Sequence, residues 1–338
     1  MLSSMPSHSN GDHLGRTIHD ERSPLLPHLS QRRKSAPALS AILTTWTYFV
    51  KAHALSPLPD FESEESLPTA YVPPLFLQCL ITGLADACTF TLTRTWVGFM
   101  TGNMVQMVIN SFDLVLPSSS NTDGSAQEVR KKLESNISSL LGFVIGCQIT
   151  AHIVKRLSTD QTRRITIVLL SLYRSLTTLT IILVGMRYTA FRLNGPLSWL
   201  VISILAASMG CQSTYSTNLS TPFSTTVVFT ATLTSVSSDL NLPMLNLNGS
   251  NRLRLLSIFG LLGGAAMSQI ILKIATKASE RDKHEAVQRA LIALSAMELL
   301  LGVSWFLCGI GSSWKQHKQQ TSVGLSSESE RYDQERDT

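Results

Sequence analysis

A lone carboxylate, Asp86, interrupts the apolar run "GLADACTF" that begins at Gly83. An ionised carboxylate in hydrocarbon is costly and normally faces a partner or a wet cavity, so Asp86 is a candidate for holding an ion, a proton or a solute. Further on comes "FMTGNMVQM" (Phe99–Met107), where Thr101, Gly102 and Asn103 place a hydroxyl, a bare backbone and a carboxamide inside another apolar segment. Gly102 weakens a helix and lets a second backbone approach, while Thr101 and Asn103 supply donors and acceptors where a turn loosens or begins. Two readings compete. In one, small and polar residues pack helix against helix with one or two hydrogen bonds. In the other, a half-helix starts here with its amides facing a solute or ion. Asp86 favours the second, since its carboxylate and the Thr-Gly-Asn turn converge on one region.

A second pair of charges stands out. Arg174 and Glu298 lie at nearly equivalent depth in two other apolar segments and are candidates for an ion pair, structural or gating; simple structural pairing is the commoner outcome. Gln148 and His152, a helical turn apart, read as structural. The five cysteines (Cys79, Cys88, Cys147, Cys211, Cys308) all fall in apolar segments without a CxxC pair. They read as small buried hydrophobes, so neither a disulfide framework nor a metal site is expected, and no cofactor motif is present.

The elements that must position these residues follow from composition. The chain has 338 residues, 44% hydrophobic and only 15% charged, where a soluble chain carries about a quarter charged residues. Charge clusters in residues 1–66, 113–134, 155–164, 273–289 and the tail, and long charge-poor runs lie between. This pattern predicts an all-α, polytopic helical membrane protein. The apolar segments are 74–96, 97–115, 137–154, 165–186, 196–216, 223–240, 255–274 and 290–310, with the stretch 117–134 expected as a flexible polar loop. A disordered cytosolic extension over 1–70, a transmembrane domain over 71–312 and a disordered tail over 313–338 complete the expected organisation.

The segments repeat, at about 74–186 and 196–310. "GLADACTF" from Gly83 pairs with "GCQSTYST" from Gly210, and "FMTGNM" from Phe99 with "VFTATL" from Val228, which sets Thr101 over Thr230 and Asn103 over Thr232. Membrane folds built by duplication place sites where the halves meet, which adds Gln212, Ser213, Thr230 and Thr232 to the candidates. Eight crossings would make the halves parallel. Six crossings, with the second and sixth segments re-entering, would invert them.

The combination "GLADACTF…VGFMTGNMVQM" is similar to the G-x-x-D-A…MTGN signature of the YoaK-type membrane proteins, the family of domain of unknown function 1275, over roughly residues 75–310. The resemblance implies a multispanning membrane protein and no particular activity. The second copy departs from the signature, with "FTATLT" where a clearer Thr-Gly motif would stand, and the N-terminal extension lies outside it.

That extension carries possible addresses. "ERSPLL" sets Glu21 ahead of Leu25 and Leu26, resembling the acidic dileucine signal that clathrin adaptors read from the cytosol on proteins bound for vacuolar or endosomal membranes; the plasma membrane is the alternative. "RRKS" makes Ser35 a phosphosite candidate beside a basic patch, with a plain solvated charge run as the competing reading. Residues 38–50 are apolar but too short to span and fit a helix lying on the membrane surface. The net charge of +5 is accounted for by basic residues at segment ends near anionic headgroups, which argues against nucleic acid as a partner. The expected function is a small-solute transporter or permease whose partners are membrane lipids and an unidentified solute or ion. A non-transporting scaffold or lipid-binding protein is the alternative. A membrane-embedded enzyme ranks third, since HExxH, G-x-S-x-G and a second well-placed aspartate are all missing.

Overall fold

Helices form wherever the apolar runs demand that backbone groups be satisfied internally. The computed structural model describes residues 69–116, 123–157, 163–219, 229–238, 249–276 and 283–308. The dileucine, Ser35, the surface-helix stretch and the C-terminal tail lie outside the described residues. Those described form α1 (Val72–Thr93), α2 (Met100–Val115), α3 (Asp123–Leu157), α4 (Arg163–Arg187), α5 (Ser198–Asn218), α6 (Phe229–Ser237), α7 (Gly249–Thr276) and α8 (Lys283–Leu307), with no strand among them. Five stretches, within α1, α3, α4, α7 and α8, are long and apolar enough to cross a membrane.

α5 has 21 residues, about 31 Å at 1.5 Å per residue and so long enough to span. Its second half is polar, but Gln212, Tyr215 and Ser216 are buried. Protein rather than lipid surrounds them. α2, with 16 residues, and α6, with 9, are too short for a full crossing.

Three helices begin at least six residues earlier than the apolar pattern indicates: α3, α7 and α8, the last starting at Lys283. α3 starts at Asp123, so the part of the expected flexible loop from 123 to 134 is helical instead. Pairs one turn apart, Glu128–Lys132 at 2.7 Å and Arg130–Glu134 at 3.2 Å, support this polar extension. α7 likewise starts at Gly249. Apolar runs mark the stretch that needs hydrocarbon, and a helix need not stop where that need ends.

The contacts fix how neighbouring helices run. α1 and α7 touch at Gly83 with Leu261 and Ala265, at Leu80 and Leu84 with Gly264, and at Thr91 with Gln269. Residue numbers rise together, so these helices are parallel. α3 and α5 are parallel too, through Gly142 with Ser203 and Gly146 with Ala207. By contrast α1 and α5 are antiparallel, with Gln78 meeting Ser216 and Thr82 meeting Gln212. α4 and α8 are also antiparallel, pairing Ser171 with Gly302, Arg174 with Glu298 and Ser175 with Ser295. It follows that α1 opposes α3 and that α5 opposes α7. The chain therefore turns back between each such pair, and neither α2 nor α6 traverses the bundle.

The stretch Asn136-Ile-Ser has the form of a glycosylation acceptor, but this fold leaves no room for a glycan there. The residue sits on α3 with 0% exposure, so its amide is closed to a glycosylating enzyme.

Candidate functional site

α1 stops at Arg94, a left-handed residue (φ 58°) whose N–H donates to the Phe90 carbonyl at 2.9 Å. The guanidinium lies 5.7 Å from the centroid of the Phe90 ring, and this cation–π contact offsets part of the roughly 1 kcal/mol cost of that conformation. Residues 94–99 then fold back along the helix they have just left. The N–H groups of Val97 and Gly98 donate to Oδ1 of Asp86 at 3.0 and 2.6 Å. Both donors meet one oxygen, so the carboxylate is tied to the loop by backbone groups alone.

Asn103 holds this loop in place. Its Oδ1 accepts the Trp96 N–H at 3.0 Å, and its Nδ2 donates to the Trp96 carbonyl at 2.6 Å. A carboxamide offers donor and acceptor in one plane, which matches a backbone unit in this way. Ser139 on α3 donates to the same carbonyl at 2.7 Å, and Nδ2 of Asn103 donates to Ser139 Oγ at 3.1 Å. The carboxamide is thus a clamp that aims the Val97 and Gly98 amides at Asp86.

The two glycines serve space rather than backbone freedom. A Cβ on Gly98 would stand 3.0 Å from Asp86 Oδ2. One on Gly102 would stand 2.6 Å from the Phe99 ring and 3.0 Å from Trp96. These rings form a rigid aromatic wall: Trp96 stacks on Phe90 with centroids 4.0 Å apart, and Phe99 meets Trp96 edge-on at 5.8 Å.

Between this wall and α7 lies a cavity of about 570 Å³. Asp86, Phe90, Trp96 and Phe99 line one side, and Leu261 and Ala265 line the other. Asp86 is 8% exposed and makes no ion pair with any described residue.

The other sequence candidates are placed as follows. Thr101 is exposed on the first turn of α2, away from the carboxylate. The break in the helix is at 94–99, upstream of the Thr-Gly-Asn turn, so the amides reaching Asp86 come from Val97 and Gly98 and not from Thr101–Asn103. Gln212 donates to the Gln78 carbonyl at 3.1 Å and to Thr82 Oγ1 at 2.9 Å, which joins α5 to the cavity wall through Thr82. Ser213 is half-buried on α5 and Thr232 is buried on α6. Thr230 also lies on α6, but its side chain is outside the described residues. Trp96, Gly98, Ser139 and the α7 wall do not emerge from sequence reasoning; the one local signal is Gly98, which directly precedes Phe99 of the motif.

A separate buried cluster joins the two halves of the chain. Arg174 Nη2 donates to Glu298 Oε1 at 3.0 Å, with the side chains 0% and 1% exposed. Thr178 donates to Oε2 at 2.8 Å, and Arg174 Nε donates to Ser208 at 3.0 Å. One turn away, Ser175 and Ser295 each donate to the other's backbone carbonyl, at 2.9 and 3.0 Å. The cysteines are free, and among the described residues no group of side chains is arranged to hold a metal.

Asn103→Ala strands the half-buried Trp96 N–H, a loss of about 1–3 kcal/mol when such a group is left unpaired, while the Trp96 carbonyl keeps only its Ser139 donor. The expected result is a lower unfolding midpoint, followed through thiol-dye labelling of the buried cysteines Cys79, Cys88 and Cys211. An unchanged midpoint would show that the clamp is dispensable.

Comparison with protein families matches residues 75–280 to the family described as "Protein of unknown function (DUF1275)". That stretch takes in nearly all of α1 and runs through α7, so it contains the whole Asp86 site. Neither the comparison with curated proteins nor that with solved structures returns a match.

Proposed function

The chain belongs to the DUF1275 family, and on the geometry around Asp86 we propose that this integral membrane protein is a small-solute permease. One observation carries the reading. A buried carboxylate, held by the amides of a broken helix and lacking any described cation partner, opens onto a cavity of about 570 Å³. Carboxylates at membrane depth face a partner or water, so a solute or proton completes the site. The helix directions support the same reading. With α2 and α6 as half-helices, the crossings are α1, α3, α4, α5, α7 and α8, and each crossing of the first half runs opposite to its counterpart in the second, as an inverted duplication requires. Transporters with this plan bind their solute beside a discontinuous helix and alternate access by rocking one half against the other. The reciprocal Ser175–Ser295 contact fits a pseudo-two-fold axis between α4 and α8. A catalytic role has less to stand on, because no second carboxylate, histidine or cysteine is among the residues lining the cavity.

Asp86→Asn keeps shape and loses charge. It should leave the unfolding midpoint near normal, while uptake into proteoliposomes of a ligand found by thermal-shift screening falls at least about tenfold, the equivalent of 1.4 kcal/mol. Normal uptake by the Asn variant, or failure to fold, makes Asp86 a structural anchor.

The alternative is a lipid-binding or scaffold protein, favoured by the mainly apolar cavity walls. It requires ligand stabilisation in micelles with no uptake into proteoliposomes. For localisation, the dileucine supports an adaptor-read route to vacuolar or endosomal membranes, with Ser35 as a modification site nearby. Replacing Leu25 and Leu26 by alanine should then move the protein to the cell surface. Unchanged localisation by microscopy removes the adaptor from the partners.

A further inference from the structure

The Asp86 cavity also constrains what enters it. Taking the permease reading as its basis, we propose that the solute is a monovalent organic cation: an ammonium head that binds Oδ2 of Asp86, on an apolar body that fills the space between the aromatic wall and α7.

The sign comes first. Among the described residues lining the cavity, Asp86 is the only formally charged one. Arg94, the charge nearest in sequence on the loop, is turned over the Phe90 ring and forms no ion pair with the carboxylate. An anion would therefore enter against a carboxylate with no cationic partner among the described residues, while a cation supplies that partner.

The number of ligand atoms that can be held comes next. Oδ1 is already occupied by the Val97 and Gly98 amides. The Phe99 N–H is also directed at the carboxylate, and Oδ2, beside Gly98 on a wall that glycine keeps thin, retains lone pairs for one more donor. One such oxygen suits a single ammonium group. A divalent metal needs six or more oxygen ligands for calcium, or a near-ideal octahedron for magnesium, and no such cluster exists among the described residues.

The two threonine hydroxyls on the wall are otherwise engaged, and Gln269 spends one N–H on Thr91. Thr91 donates to the Ala87 carbonyl at 2.7 Å and accepts from Gln269 at 2.8 Å. Thr82 donates to the Gln78 carbonyl at 3.1 Å and accepts from Gln212 at 2.9 Å. A polyhydroxylated solute would lose its water at this surface and regain few hydrogen bonds. The faces of Phe90, Trp96 and Phe99 instead attract a cation through the ring quadrupole and an apolar body by burial. A cavity of about 570 Å³ lies in the roughly 300–1,000 Å³ range that takes drug-sized ligands. A proton alone would need no such space.

The test is a charge series on one skeleton: 4-phenylbutylammonium, 4-phenylbutanol and 4-phenylbutyrate, titrated against the full chain in nanodiscs with tryptophan fluorescence and thermal shift as readouts. The ammonium should bind at least tenfold tighter than both isosteres, and Asp86→Asn should reduce it to the affinity of the alcohol. Equal binding of ammonium and alcohol by the wild-type protein, or preference for the carboxylate, overturns the cation assignment without needing any variant to fold. Failure of the permease reading looks different: the ammonium binds with the expected preference and proteoliposomes do not accumulate it.

Discussion

Glu298→Ala should cost about 3–5 kcal/mol, because it leaves a guanidinium buried without its counter-charge. Arg174 has no exposure, and the carboxylate that Glu298 contributes also takes the Thr178 hydroxyl, so both ends of the arrangement collapse together. Replacing both residues by methionine is the informative partner experiment. A buried pair exchanged for apolar side chains of similar volume is often neutral or stabilising, so the double variant should recover most of the unfolding midpoint in detergent. The recovered protein then separates two roles. If it moves solute as the wild type does, the pair is a structural tie between α4 and α8. If it folds but no longer moves solute, the pair takes part in the rocking of the halves. A single Glu298→Ala variant with unchanged stability would contradict the buried pair itself.

Gly264→Ala and Gly263→Ala should differ sharply although they are adjacent. A Cβ on Gly264 would collide with the Leu80 carbonyl and stand 2.8 Å from the Leu84 nitrogen, both backbone atoms of α1. Neither can rotate away, so the helices must separate, and overpacking of this kind costs about 1–3 kcal/mol or more. A Cβ on Gly263 meets nothing within 4 Å, and alanine there gains up to about 1 kcal/mol of helix propensity. The expected result is a fall in midpoint for the first and no change or a small rise for the second. α7 is one wall of the Asp86 cavity, so Gly264→Ala should also weaken ligand binding. Equal behaviour of the two variants would falsify the close α1–α7 contact. Gly83 makes the reciprocal approach from α1, against the Leu261 carbonyl, and small residues at such points are what let membrane helices pack without a hydrophobic driving force between them.

The amino-acid sequence by itself determined that the apolar stretches are helical and where they lie, because a segment in hydrocarbon has no other way to satisfy its backbone. It also made Asp86, Arg174 and Glu298 conspicuous, since charge is expensive in that setting whatever the fold. Helix limits in polar sequence were less legible: α3 continues back to Asp123 through salt-bridged turns that composition alone reads as loop. The meaning of the Thr-Gly-Asn turn was decided by tertiary structure. Asn103 and Gly102 serve the loop that precedes them, through Trp96, Phe99 and a serine on α3, while Thr101 points outward. Nothing local in "MTGN" specifies that, because the partners of a carboxamide are chosen by whichever backbone the fold brings within 3 Å. The same holds for helix direction. Apolar runs read identically up or down, and only the register of Gly83 on Leu261, Thr82 on Gln212 and Ser175 on Ser295 shows which neighbours run together and which oppose.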